Sequence, residues 1–275
     1  MLPIDKPKYV RLSTPLGDVD IMRAWYVKQN FSKHSHEGYG LGAILSGAME
    51  FSYRGEKLIA HKGCVNSVNP DEPHDGHSFD ESCGWCYSML YFTEDVFRNM
   101  YNDMTDKYRT PFLSCGVVHD TSFAENITSA VSNILSGKAD RLYAESELIK
   151  ILSDAIKKHT DKSPADKSYH MGLKMRRVEE YIRSNLHRQI SISELSELAG
   201  MSPYHFIRSF RRDRGLAPYE FLSVKRAEQA KELILSGARF ADAASSCGFT
   251  DQSHMNRWLK RIIGVTPKNM SSIVL

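Results

Sequence analysis

SPYHFIRSFRRDRG at residues 202–215 and DQSHMNRWLKRIIG at residues 251–264 are two versions of one pattern. Laid over each other without a gap, 49 residues apart, they match His205 with His254, Arg208 with Arg257 and Gly215 with Gly264. Arg211 then meets Lys260, Arg212 meets Arg261, and Pro218 meets Pro267 just beyond. Self-similarity at this spacing marks a duplicated supersecondary unit. Ser202 and Asp251 are N-cap residues, and Pro203 suits the first helical position, where its missing N–H costs nothing. Each capped helix follows a shorter one across a tight turn. Ile192–Leu198 precedes Ala199-Gly200-Met201, and Phe240–Ser246 precedes Cys247-Gly248-Phe249. Two helices joined this way form a helix-turn-helix.

The faces of the second helices carry the chemistry. Phe206 and Phe210 in one copy, and Met255, Trp258, Leu259 and Ile262 in the other, form apolar stripes. The opposite faces hold Tyr204, Ile207, Arg208 and Arg211, then Ser253, Asn256, Arg257 and Lys260. Arg and Asn can bond base edges bidentately, and Ile can pack on a thymine methyl. Lys and Arg at the far ends can neutralise phosphate. Pro218–Leu235 is a continuous helical pattern that predicts a fixed spacing between the units, with Phe221, Leu222, Ala227, Ala230, Leu233 and Ile234 buried. A spacing of about 34 Å would suit successive major grooves. Charge agrees. Residues 171–275 carry 17 Lys and Arg against 10 Asp and Glu, leaving 19 against 23 in residues 1–170. A basic third on an acidic body points to a polyanionic partner.

These stretches resemble the DNA-binding domain of the AraC/XylS transcription regulators: LAGMSPYHFIRSFRRDRGLAPYEFL, KRAEQAKELI and CGFTDQSHMNRWLKRIIGVTP. The resemblance adds Gln252 and His254 to the base-reading positions. His254-Met255 replaces the family's usual aromatic pair, and PKNMSSIVL lacks its customary Tyr-Arg.

Upstream, residues 9–92 read as strands. Short apolar runs alternate with Ser46-Gly47, Arg54-Gly55 and Lys62-Gly63. Trp85, Tyr87, Met89 and Tyr91 alternate with Cys86, Ser88, Leu90 and Phe92, a period of two. That pattern predicts a small barrel or sandwich. Glu94–Met104, Ser122–Leu135 and Asp140–Lys158 then read as helices. The last carries Leu142, Leu148, Ile149, Leu152 and Ile156 and is a candidate dimer seam. Residues 159–170, polar and with Pro164, read as a linker.

HSHEGYGLGAILSGAMEFSYRGEKLIAHKGCVNSVNPDEPHDG, residues 34–76, is similar to the cupin-like barrel that precedes such DNA-binding domains. A cupin enzyme holds its metal with two His, a Glu and a further His. His34, His36 and His74 fall in place, but Gly40 and Leu41 stand where the Glu is expected. Three His can bind zinc. With the carboxylate missing, the residues are assigned instead to an organic ligand. Trp25, His34, His36, Tyr39, Glu72, His74 and Tyr87 are the candidate effector residues, since barrel mouths lined by aromatics and a few polar groups hold ligands. Cys83-Gly84-Trp85-Cys86 is read as structural, because strand residues three apart lie about 10 Å apart on opposite faces.

The expected architecture is therefore α+β and multidomain. Residues 1–158 form a cupin-like sensor (barrel 9–92, helices 94–158), and residues 171–275 form an all-α double helix-turn-helix. The expected function is a ligand-responsive transcription regulator, an activator controlled by a sugar or an amino acid. Its partners would be operator DNA, RNA polymerase and a second copy of the chain. Catalytic residues, cofactor and metal are expected to be absent. A metal-dependent cupin enzyme fused to a DNA-binding module, and a constitutive binder whose barrel only dimerises, are the alternatives. The N-terminus, MLPIDKPKYV, has no apolar stretch like that of a secretory signal, and five cysteines show no framework spacing. The expected compartment is the cytoplasm, with no membrane segment.

Overall fold

The computed structural model describes residues 7–14, 16–105, 109–137, 139–160 and 173–274. The chain divides into two units, Met1–Ala165 with Lys268–Leu275, and Asp166–Pro267. Most of the expected linker lies outside the described residues.

The first unit is a β-barrel with helices on one face. Its strands are β1 (Lys8–Thr14), β2 (Gly17–Tyr26), β3 (Asn30–His34), β4 (Tyr39–Tyr53), β5 (Glu56–His61), β6 (Val65–Val68), β7 (His74–Ser78), β8 (Trp85–Phe92), β9 (Val117–Val118) and β10 (Met270–Val274). The order β10-β1-β2-β8-β4-β6-β9 makes one layer, and β3, β7 and β5 continue from the far half of β4. One strand serves both layers because β4 breaks register between Ile44 and Ser46. Gly47 follows at φ 68° and Gly84 faces it at φ 70°. A Cβ on Gly47 would lie 1.9 Å from the Gly84 carbonyl oxygen, and one on Gly84 would lie 2.2 Å from that of Tyr26. The corner therefore needs glycine for both space and backbone conformation.

The period-two reading of β8 sorts as expected. Leu90 and Phe92 join Val19, Ile21 and Leu41 beneath α1 (Glu94–Thr105), α2 (Thr121–Leu135) and α3 (Arg141–His159). Trp85 and Tyr87 face inward among Tyr26 and Phe31. The α3 stripe differs from expectation. Ala144, Leu148, Leu152 and Ile156 are buried, whereas Leu142 and Ile149 are 74% and 42% exposed. At 100° per residue the buried line runs through i, i+4, i+8, and Leu142 and Ile149 form a separate line.

The second unit holds α4 (Leu173–Ser184), α5 (Ile192–Ala199), α6 (Pro203–Arg214), α7 (Pro218–Leu235), α8 (Phe240–Ser246) and α9 (Gln252–Ile262). Ser191 and Glu194 form a capping box on α5, and Gly200 ends it in the left-handed region. Asp251 accepts from the His254 amide at 2.7 Å to cap α9, while Ser202 makes no such bond on α6. Phe206, Phe210 and Phe221 form one aromatic cluster. Lys225 and Arg226 of α7 are also buried, which apolar patterning does not anticipate. Arg226 donates to the carbonyls of Leu186 and Arg188, and Lys225 pairs with Glu228 at 2.8 Å. Burial is tolerated because these donors have acceptors.

The expected C-terminal boundary moves. Lys268–Leu275 belongs to the first unit, where β10 runs parallel to β1 from Tyr9↔Met270 to Ser13↔Val274. Among the described residues no helix is long and apolar enough to cross a membrane.

Candidate functional site

The second helices of the two helix-turn-helix pairs, α6 and α9, begin 49 residues apart, so the repeat in sequence is a repeat in structure. On α6, Tyr204, Ile207, Arg208 and Arg211 are all exposed, Tyr204 at 77%. On α9, Gln252, Ser253, Arg257 and Lys260 are exposed. Asn256 is half-buried, and its Oδ1 has no hydrogen-bond partner among the described residues. His254 is committed elsewhere. Its Nε2 accepts from Trp258 Nε1 at 3.1 Å, its Nδ1 meets Thr250 Oγ1 at 3.1 Å, and its ring stands edge-on to Phe249. With Nε2 accepting, Nδ1 carries the proton and donates it to the hydroxyl oxygen. This residue braces the turn into α9, which explains how it replaces an aromatic. His205 and Arg212 were not anticipated. With Arg208 and Ser209 they line a cavity of about 400 Å³ on α6. Their polar character at i, i+3, i+4 and i+7 from His205 was the available signal.

In the barrel, His34 ends β3, His74 begins β7 directly opposite it, and His36 precedes β4. The rings of His34 and His74 lie 4.4 Å apart and those of His36 and His74 4.8 Å apart. Nδ1 of His34 donates to the Ser32 carbonyl at 2.7 Å. Nδ1 of His36 donates to that of Gly38, and Nδ1 of His74 to that of Glu72, each at 2.9 Å. A carbonyl can only accept, so in each neutral ring the proton sits on Nδ1 and Nε2 is the acceptor. Burial, then the neighbouring His74, pushes the His34 pKa down to about 3, and burial lowers that of His74. Both are therefore neutral near pH 7. The three rings each offer one ligand atom, all within 4.8 Å of one another.

The family of AraC-like ligand-binding domains matches residues 16–152, and a helix-turn-helix domain family matches residues 195–272. The chain belongs to the AraC family of transcriptional regulators. The HTH-type transcriptional regulator YbfI of Bacillus subtilis (strain 168) is 27% identical over 237 residues, covering 83% of this chain and 82% of that one. Apo ToxT from Vibrio cholerae superposes with TM-score 0.57 at 12% identity, over 91% of this chain and 95% of ToxT. ToxT with an unsaturated fatty acid bound superposes with TM-score 0.55 at 15% identity, over 90% and 92%. At these identities the ToxT structures speak for the fold.

Of the effector residues expected for this AraC-family chain, the structure gathers His34, His36 and His74. Glu72 supports His74 through its carbonyl, and its carboxylate lies 3.3 Å from Arg54 Nε. Tyr87 shares the inner layer, linked to His34 through the rings of Trp85 and Phe31. Two residues are not gathered. Tyr39 stacks on Phe92 beneath the helices and donates to the Pro111 carbonyl. Trp25 pairs in register with Cys86, while its neighbours Ala24 and Tyr26 pair with Tyr87 and Trp85, so Trp25 points to the other side. Tyr91, edge-on to His36 at 5.5 Å, belongs to the cluster instead. The alternation that turns Tyr87 inward does the same for Tyr91.

Proposed function

We propose that this chain reads operator DNA through α6 and α9, and that a small polar metabolite held in the barrel sets its DNA-binding state. It acts as a homodimer and an activator that meets RNA polymerase. It is a binding protein and carries out no catalysis. The observation that supports DNA reading above the rest is the equivalence of the two faces. Arg208 and Arg257 occupy the same exposed position on two helices that start 49 residues apart, in the unit with the excess positive charge. An isolated solvated face would have no reason to recur in register. Exposed Leu142 and Ile149 on α3 support association through the helical segment. A polar effector, a sugar or an amino acid, is favoured by the inward histidines. ToxT was solved with a fatty acid, which supports an organic ligand for this fold and makes an acyl chain the competing class.

The test is selection of binding sites from random duplex DNA by the full chain, followed by thermal shift against sugars, amino acids and fatty acids. A reproducible sequence motif, and an effector that both raises Tm and alters affinity for that motif, are expected. Binding without sequence preference would sink the DNA reading. A response to fatty acids alone would replace the polar effector.

A further inference from the structure

The histidine cluster has a chemistry that an ordinary polar pocket lacks. Its three rings come from two chain segments, residues 34–36 and His74, and each spends its N–H on a backbone carbonyl two residues away. Each then presents Nε2, a lone pair, as its remaining ring nitrogen. A carboxylate offered to three lone pairs is repelled, and a hydroxyl, with one proton, can satisfy only one of them. The cluster instead suits a Lewis acid. An N–H donated to a carbonyl is also the outer-shell support that metal-ligating histidines use, because it fixes ring orientation and raises basicity.

We propose that His34, His36 and His74 form a three-imidazole site for a divalent first-row transition-metal ion, zinc or a close relative. Zinc–nitrogen bonds of about 2.0–2.1 Å at tetrahedral angles place ligand nitrogens about 3.3 Å apart. The present spread, up to 4.8 Å, closes to that with ring movements of about an ångström. The carboxylate missing from the sequence is not needed, since three His with an exogenous fourth donor complete a tetrahedral site. Imidazole nitrogen also selects zinc, copper, nickel or iron over magnesium or calcium. The proposal deepens the sensor reading and depends on it only for the regulatory consequence, in which the fourth position belongs to the effector.

Full-length protein stripped with chelator is titrated with Zn²⁺ by calorimetry and with Co²⁺ by visible absorption. One ion per chain and the intense d–d bands of tetrahedral Co²⁺ are expected. His36→Gln, the variant at the least buried ligand, should weaken Zn²⁺ binding beyond the ~10–100-fold that loss of an outer-shell partner costs. His34→Gln and His74→Gln should do the same. His77→Gln, changed at a half-exposed ring 3.6 Å from Glu50, should bind as wild type. Melting temperature and operator binding, measured on every variant, identify any that fail to fold, and wild-type stoichiometry stands whichever variants are lost. Absence of a tetrahedral Co²⁺ spectrum in the wild type overturns the proposal. So does Zn²⁺ affinity unchanged in a folded variant lacking all three rings, or methylammonium binding that Zn²⁺ does not displace. Stoichiometric metal with operator affinity indifferent to it upholds the site and counts against effector control.

Discussion

Arg208 and Arg257 differ from Phe210 in what each side chain meets. The two arginines are exposed, whereas Phe210 is fully buried between Phe206 and Phe221. Arg208→Ala and Arg257→Ala should each lower affinity for the selected operator by about 1–3 kcal/mol at fixed salt, with Tm unchanged. Phe210→Ala should cost about 3–5 kcal/mol of stability, read by denaturant unfolding. If both arginine variants bind as wild type, the reading face lies elsewhere. His254 is the residue on which sequence position misleads. The family resemblance puts it on the base-reading side, but its bonds to Trp258 and Thr250 make it part of the fold. Its alanine variant should therefore lower Tm as well as affinity. Cysteines separate in the same way: Cys83 and Cys115 are exposed, and Cys64, Cys86 and Cys247 are buried. Ellman's reagent should titrate two thiols quickly in native protein and five after unfolding.

Single elements depend on a few positions whose role is geometric or electrostatic. Gly84 at φ 70° supports the corner at which β8 meets β4 and β2. Gly84→Ala should destabilise the barrel by about 1–3 kcal/mol from backbone strain alone, with the contact to the Tyr26 carbonyl adding to it. A melting curve that overlays wild type would remove this account of the corner. In α7, burial raises the pKa of Glu228 despite Lys225 beside it. The folded state then holds the proton more tightly than the unfolded chain. Stability falls as pH rises from the unfolded value near 4.5 through the folded one. Glu228→Gln should flatten that slope, as measured by urea midpoints at intervals above pH 4.5. An identical slope would place the titration elsewhere. The α3 helix shows the limit of patterning at this scale. Its apolar residues number more than one stripe can bury, and the neighbours α2 and α1 select which line faces inward.

At the scale of the molecule, the helical unit ends at Pro267 and the last residues complete the sheet of the other unit. A fragment spanning residues 166–267 should fold and bind the selected operator at near full-length monomer affinity, as measured by fluorescence anisotropy. Deleting residues 268–275 from the full chain should instead lower the melting temperature of the sensor, because β1 loses a parallel partner over five residue pairs. If the deletion abolishes DNA binding and leaves the sensor's melt intact, the division is wrong. Much of this organisation was legible beforehand. The duplicated 14-residue pattern, its caps and its apolar stripes identify the double helix-turn-helix, because helix geometry is local and periodicity reports it directly. Alternation in β8 likewise separates inner from outer side chains. The histidines were legible as candidates from HSH and a distant His.

Sequence by itself determined the two-part architecture, the two helix-turn-helix pairs and the inventory of side chains in the barrel. Only the tertiary structure decided which of them meet. Tyr39 and Trp25 fall away from the cluster because parity in a strand sets a side but not which side a neighbouring layer covers. Tyr91 enters it for the same reason. The last strand was hidden because a five-residue segment has too few positions to reveal its partner, and its partner lies 261 positions earlier, from Tyr9 to Met270. The three imidazoles were visible one by one, but their common tautomer was not. It is set by carbonyls of Ser32, Gly38 and Glu72 whose directions exist only after the backbone has turned.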